Sequence, residues 1–447
     1  MRASEHVLEP SESQFAYEIG GQRWNKGTTG FADAVAQAHE QHLRPRCLCQ
    51  PDAEGQGVEM YVARLLDGYI VKRMPNTGSH HATACPSYEP PADLSGLGQL
   101  LGTAILENPS TGTTTLKLDF PMTKMPGRSA PPPASGTASS VTTQGNKLTL
   151  RSLLHYLWDQ AELTRWQPGF AGKRSWATVR RHLLRAAENK VVGGHPLLAS
   201  LYIPEAFSVE NKDAITARRL QQWTRSKPTL SSRQPLMLMI AEVKEIVPAR
   251  YGHKAVIKHV PDQPFGLDDQ LYRRLGRCFE QELALWSAVE NLHMLMIATF
   301  RMTDAGLPNI VELSLMPATA QWHLIEDHFD RQLLEKLVGE GRSFIKCLRY
   351  NAPTSKVGVS ASLTDCGASP HFLIIERQSF NKDESAGDLE RLITSEGQRP
   401  WVWNALVEPL PKIPVKGRGY IEPLLFKPAS GDQLNLGSRS TMQTSRT

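Results

Sequence analysis

The sequence predicts a multidomain α+β protein, and three observations carry that expectation. Cysteines and histidines cluster around an alternating apolar hairpin near the N-terminus. A Pro/Gly/Ser/Thr-rich stretch interrupts the chain from residue 121, and beyond it helical apolar periods give way to alternating helices and extended runs. Composition accordingly divides the 447 residues into a hairpin domain (1–120), a linker (121–147), a helical segment (148–233), a mixed α/β domain (234–427) and a tail without apolar period (428–447).

The hairpin is read from Val58–Leu65 and Tyr69–Arg73, two alternating runs around Leu66-Asp67-Gly68. Counted outward from the Asp67–Gly68 turn, Cys49 lies about as far back as Cys85 lies forward. Antiparallel pairing would therefore bring Cys47 and Cys49 beside His80, His81 and Cys85. Three thiolates and one imidazole make the closed tetrahedral set of a structural Zn²⁺, and the spacing leaves His80 and His81 as alternatives. Cys278, Cys347 and Cys366 are scattered, and Met1–Pro10 has no apolar signal segment. The apolar runs are too short to span a bilayer, so the expectation is a reduced, cytoplasmic chain with no membrane partner. A net charge of +5 does not by itself name nucleic acid.

The helical segment opens with Leu148–Leu163, where Leu150, Leu153, Leu154, Leu157 and Ala161 recur at helical spacing. A second helix follows the N-cap Ser175, with Trp176, Val179, Leu183, Ala187 and Val191 on one stripe and Arg174, Arg181 and Arg185 on the far side. A turn at Val191–His195 and an extended Leu197–Ile203 complete the order helix, basic helix, strand. That order resembles a winged helix-turn-helix, which implies DNA or RNA as partner, with these arginines on phosphates or guanine edges and Lys72 and Arg73 assisting beside the metal.

From Pro235 onward, Leu236–Val247 and Lys254–Val260 read as strands, Leu267–Leu292 as one long helix, and Met294–Arg301 and Ile310–Met316 as strands. A helix at Ile325–Val338 then precedes strands at Phe344–Tyr350, Lys356–Thr364 and Phe372–Gln378, a helix at Glu384–Thr394 and a last extended segment at Tyr420–Phe426. This order is similar to the core of the PD-(D/E)xK nucleases, which implies Mg²⁺ held by clustered carboxylates, with Glu376-Arg377-Gln378 as half of the motif. The expected pairing sets Glu376 opposite Ser360 and leaves Asp365 at the turn, so the first carboxylate is missing. Glu242-Val243-Lys244 is a second Glu-x-Lys without an acid at hairpin distance. Phosphate-binding loops, a GxSxG elbow and an HExxH helix are absent from the sequence. Trp401-Val402-Trp403 reads as packing over a core.

Across nearly the whole chain the sequence resembles the bacterial family catalogued as "domain of unknown function 1173". The residues that carry the resemblance are Cys47-Leu48-Cys49, Lys72-Arg-Met-Pro-Asn-Thr-Gly78, His81 leading to Cys85, Leu153-Leu-His-Tyr-Leu-Trp158 with Ala161, and Phe279 to Trp286 with Ala298-Thr-Phe300. The resemblance implies three N-terminal cysteines and a link to mobile elements, and brings no activity with it. The residues together predict a zinc-stabilised nucleic-acid-binding protein; the alternative is a metal-dependent nuclease centred on Glu376.

Overall fold

The computed structural model describes residues 16–50, 56–124, 147–227, 233–352, 358–377 and 400–417. Most of the expected linker, the helix at 384–394, the segment at 420–426 and the tail lie outside the described residues.

The chain opens with β1 (Ala16–Ile19) and β2 (Gln22–Asn25), on which α1 (Phe31–Glu40) buries Ala34, Val35 and Ala38. Strands β3 (Arg46–Cys47), β4 (Val58–Leu65) and β5 (Gly68–Arg73) complete a five-stranded sheet of order β2-β1-β3-β4-β5. The β4–β5 hairpin follows the alternating pattern, but Leu65 pairs with Gly68. The loop is therefore Leu66–Asp67, one residue earlier than the Asp-Gly pair indicated.

Strands β6 (Ile105–Asn108), β7 (Thr113–Leu116) and the short β8 (Thr123–Lys124) lead to α2 (Leu150–Gln160), capped by the Thr149 hydroxyl accepting from Ser152 N–H. Its leucine stripe is buried, and Tyr156 and Trp158 are buried too, so α2 is enclosed rather than half-exposed. After β9 (Arg165–Trp166), α3 (Trp176–Ala187) starts at the expected cap Ser175 and buries Trp176, Val179, Leu183 and Ala187. The winged-helix expectation departs from the structure at the next strand. β10 (Lys190–Val192) turns into β11 (His195–Pro196) but also pairs in parallel with β7, inside a sheet of order β11-β10-β7-β6. The Leu197–Ile203 run holds a short 3₁₀ turn and the two-residue β12 (Leu201–Tyr202) instead of a free wing. α4 (Lys212–Trp223) and β13 (Gln234–Pro235), paired with β8, follow.

The next 82 residues of chain form a barrel from β14 (Met237–Pro248), β15 (His253–Ile257), β16 (Val260–Leu267), α5 (Asp269–Cys278), α6 (Glu280–Ala288), β17 (His293–Met302) and β18 (Pro308–Ala318). Two expectations are corrected here. The single strand at 254–260 reverses at Lys258-His259, and the single helix at 267–292 breaks at Phe279, whose φ of −126° is not helical. β14 is long enough to pair twice: Met237–Val243 with β17 and Val243–Pro248 with β15, bending at a bulge between Val243 and Glu245. β15 pairs antiparallel with β16, β16 in parallel with β18, and β18 antiparallel with β17, which closes the circuit β14-β15-β16-β18-β17-β14. Five strands so connected, with helix between the third and fourth, have the connectivity of the OB-fold, a partly open Greek-key barrel. The parallel closure rests on Gly266 facing Asn309, where a Cβ would lie 2.5 Å from the asparagine Oδ1. Met237, Met239, Ala241, Met296 and Ala298 point into the barrel, whereas the alternate Leu238, Ile240, Leu295 and Ile297 share a core with α2 and α3. A strand apolar on both faces is thereby explained.

α7 (His328–Gly339), capped by Asp327, precedes β19 (Phe344–Lys346), β20 (Val359–Leu363), β21 (His371–Glu376) and β22 (Trp401–Asn404). Their sheet runs β22-β21-β20-β19-β9, with β22 parallel to β21. The tryptophan segment is thus a strand, and Trp403 is buried. Cores cross the boundaries drawn from composition: Ile345 of β19 packs with Cys47 and Cys85, and residues from Leu100 to Tyr350 share one cluster.

Candidate metal centre

The chain passes Cys47 at the end of β3, turns through Cys49, and returns after β5 through a short 3₁₀ helix, Gly78–His80, to His81 and Cys85. The close return at Gly57 is sterically selected, because its φ is +88° and a Cβ there would lie 2.7 Å from the Cys47 carbonyl oxygen. One ligand atom from each of Cys47, Cys49, His81 and Cys85 falls within 4.8 Å of all the others. Cys47 Sγ lies 3.7 Å from Cys85 Sγ, and His81 Nδ1 lies 3.4 Å from Cys49 Sγ and 3.8 Å from Cys85 Sγ. A tetrahedral ion with metal–sulfur bonds of about 2.3 Å and a metal–nitrogen bond of about 2.0–2.1 Å has S–S edges of about 3.8 Å and S–N edges of about 3.6 Å. The four groups could hold a metal ion without rearrangement.

Local electrostatics favour a cation at their centre. Backbone N–H groups of Ala82 and Ser87 donate to Cys49 and Cys85 sulfurs at 3.4 Å each. Cys49 is driven well below the usual thiol range by hydrogen bonds from Cys47 and Cys85, against its burial. Cys47 is pushed far up by the same bond with Cys49, then by Cys85 and by burial. Cys85 is lowered by Cys47 but raised more by Cys49 and by burial, to about 11. Three crowded sulfurs oppose one another's ionisation; a divalent ion at their centre would favour the thiolate form of all three. With Nδ1 on a metal, the His81 proton sits on Nε2, which is buried and has no hydrogen-bond partner among the described residues. His80, the other histidine the spacing allowed, is exposed and outside the cluster; its backbone is engaged, the N–H donating to the Thr77 carbonyl and the carbonyl oxygen accepting from Gln50 Nε2–H.

The remaining residues singled out from the sequence scatter. Arg73 pairs with Glu89 and Lys72 is half-buried, with its ammonium pKa lowered by burial. Arg174 is corrected: its guanidinium donates to the carbonyls of Leu163, Arg165 and Gln321 and lies over the Trp166 ring at 5.1 Å, so it is a packing residue. Arg181 and Arg185 are exposed on α3. Glu376 does not face Ser360: the bulge between Val359 and Ala361 sets Ile374 against Val359, and Glu376 pairs with Asn404 of β22 instead. No carboxylate cluster includes it among the described residues. Asp365 receives a two-pronged ion pair from Arg342 at 2.7 and 2.9 Å. Glu242 binds Lys258 Nζ at 2.8 Å and lies 2.7 Å from His293 Nδ1, while Lys244, its partner in the motif, is exposed.

A family model described as "Protein of unknown function (DUF1173)" matches residues 17–405. The chain belongs to the DUF1173 family. No curated protein and no solved structure matches it. The match to DUF1173 spans both the cysteine cluster and the barrel, so the two are parts of one family unit. Among the described residues no helix is long and apolar enough to cross a membrane.

Proposed function

We propose that this DUF1173 protein is a zinc-stabilised nucleic-acid-binding protein serving mobile elements. The observation that carries the nucleic-acid reading is the closed five-stranded circuit β14-β15-β16-β18-β17, since barrels of this connectivity take oligonucleotides on the second and third strands and the adjoining loops. Cys47, Cys49, His81 and Cys85 hold the Zn²⁺; three soft sulfurs and one imidazole suit Zn²⁺ better than Mg²⁺ or Ca²⁺, and a set with no open position is structural, not catalytic. When bound, the ion supplies folding energy and no reaction step. Arg181 and Arg185 remain as phosphate contacts, whereas Arg174 is committed to the interior.

The test is a mobility-shift titration of the full chain with single-stranded and duplex oligonucleotides at two salt concentrations. Affinity falling linearly in log–log form with salt is expected, by about 0.7 per phosphate contact for a single strand. Replacing Arg181 and Arg185 together with Ala should flatten that slope. The absence of any binding to DNA or RNA at low salt removes this reading.

A further inference from the structure

The barrel is covered unevenly. On β14, β17 and β18 the outward residues lie under α2 and α3, and α5 and α6 bring Leu271, Leu275, Leu283 and Trp286 against its core. The segment leading into α4 reaches the β15–β16 turn, where Phe207 N–H donates to His259 Nδ1. What stays open is the opposite end of β15, from the β14–β15 turn to the first turn of α5.

The side chains there are not those of an idle surface. The turn is closed by Ala249 N–H donating to the Gly252 carbonyl, and it holds Tyr251 with 83% of its surface exposed and the Arg250 guanidinium 5.5 Å from the ring centre. Beside it, the His253 and Tyr272 rings stack with centroids 3.3 Å apart and planes within 6°, tying the strand to α5. Lys254 is half-exposed on β15 and Arg273 is exposed on α5. Two acids adjoin them: Asp269 lies 3.8 Å from His253 Nδ1, and Asp268 caps α5 by accepting from Leu271 N–H. Exposing a whole tyrosine ring costs apolar surface that burial would recover, and a cation beside the ring leaves its outer face for another planar group.

We propose that this face binds single-stranded nucleic acid, with bases stacking on Tyr251 and on the His253–Tyr272 pair while Arg250, Lys254 and Arg273 meet the phosphates. The proposal rests on the nucleic-acid reading above and adds its substrate class and its site. Single strands are required because an aromatic platform needs an unpaired, unstacked base face, which a duplex hides. Recognition is sequence-tolerant, since every base offers that face.

The experiment is fluorescence anisotropy of the full chain with 5′-labelled dT20 and with a 20-base-pair duplex of mixed sequence. Wild type should prefer dT20. Tyr251→Ala should weaken dT20 binding about 5- to 100-fold, and Tyr251→Phe, which keeps the ring, should retain it. Arg250→Ala should lower the salt slope by up to about 0.7. Tyr251 is nearly free of neighbours, so circular dichroism of these variants should match wild type. Wild-type dT20 affinity in both Tyr251→Ala and Arg250→Ala overturns this face while leaving nucleic-acid binding intact. Preference for the duplex overturns the single-strand assignment. Silence of the wild type toward dT20 and duplex alike removes the broader reading with it.

Discussion

Cys47→Ser separates zinc binding from packing. Cys47 is 1% exposed and its strand β3 joins β1 to β4, so the substitution sits at the centre of the N-terminal sheet. Two effects of very different size meet there. Replacing a buried thiol by a hydroxyl costs on the order of 1–3 kcal/mol whether or not metal is present. Losing a structural Zn²⁺ forfeits on the order of 10 kcal/mol, comparable with the whole stability of a domain. The metal term should dominate because the core of this sheet is small and Cys47 and Cys85 are themselves two of its members. Purified wild type should contain one zinc per chain, and Cys47→Ser much less. Hydrogen exchange should show amide protection in β3, β4 and β5 collapsing in the variant while β14 and β17 keep theirs. Stripping the wild type with a chelator should reproduce that pattern, and stripping the variant should add little. If Cys47→Ser lowers stability equally in zinc-loaded and stripped protein, packing explains the loss and the metal centre is refuted.

Acid should destabilise the chain through its buried neutral imidazoles, His323 and His155 foremost; His155 is fully buried with its Nδ1 accepting from Tyr350 N–H, and burial holds the pKa of both below the ordinary histidine value. The His155 pKa is held down at about 4, so the unfolded state binds the proton first; the contribution of His155 is complete above about pH 6.5 and falls as pH drops toward 4, by about 3 kcal/mol, read as the difference in urea midpoints between wild type and a His155→Gln variant across that range. Asp365→Asn leaves the Arg342 guanidinium with a neutral partner in a buried site and should cost about 3–5 kcal/mol in the same titrations; a loss below 1 kcal/mol would show the pair to be solvated. Arg174→Ala should lower the melting temperature without changing the salt slope of DNA binding, the reverse of Arg181→Ala. With Mg²⁺ or Mn²⁺ the protein should leave linear and supercoiled DNA intact, because one carboxylate at Glu376 does not hold the ion; cleavage lost in Glu376→Ala would reinstate the nuclease alternative.

Local chemistry was legible wherever short-range rules govern. Ser175 caps α3 because its hydroxyl reaches Thr178 N–H within the same turn, and the leucines of α2 are buried because a 3.6-residue period puts them on one face. The three cysteines stood out because soft ligands at short spacing are rare for any other reason. What sequence could not choose was His81 over His80, since neighbouring residues differ only in which way the 3₁₀ turn from Gly78 to His80 points them. Arg174 misled for a different reason: it precedes the N-cap Ser175 and lies outside α3, so a helical wheel assigns it no side, and only the packed chain shows its guanidinium meeting Trp166 and three carbonyl groups while Arg181 and Arg185 stay exposed. Lys254–Val260 looked like one strand because apolar residues flank Lys258 and His259 on both sides, and only the partners of each half reveal a reversal. The barrel itself was decided at the tertiary level. Its alternating residues are apolar on both faces, one filling the barrel and one packing under α2 and α3, so period-two patterning vanishes from β14 and β17. Closure depends on the bulge after Val243 and on Gly266 admitting Asn309, contacts between residues far apart in the chain that no local preference encodes.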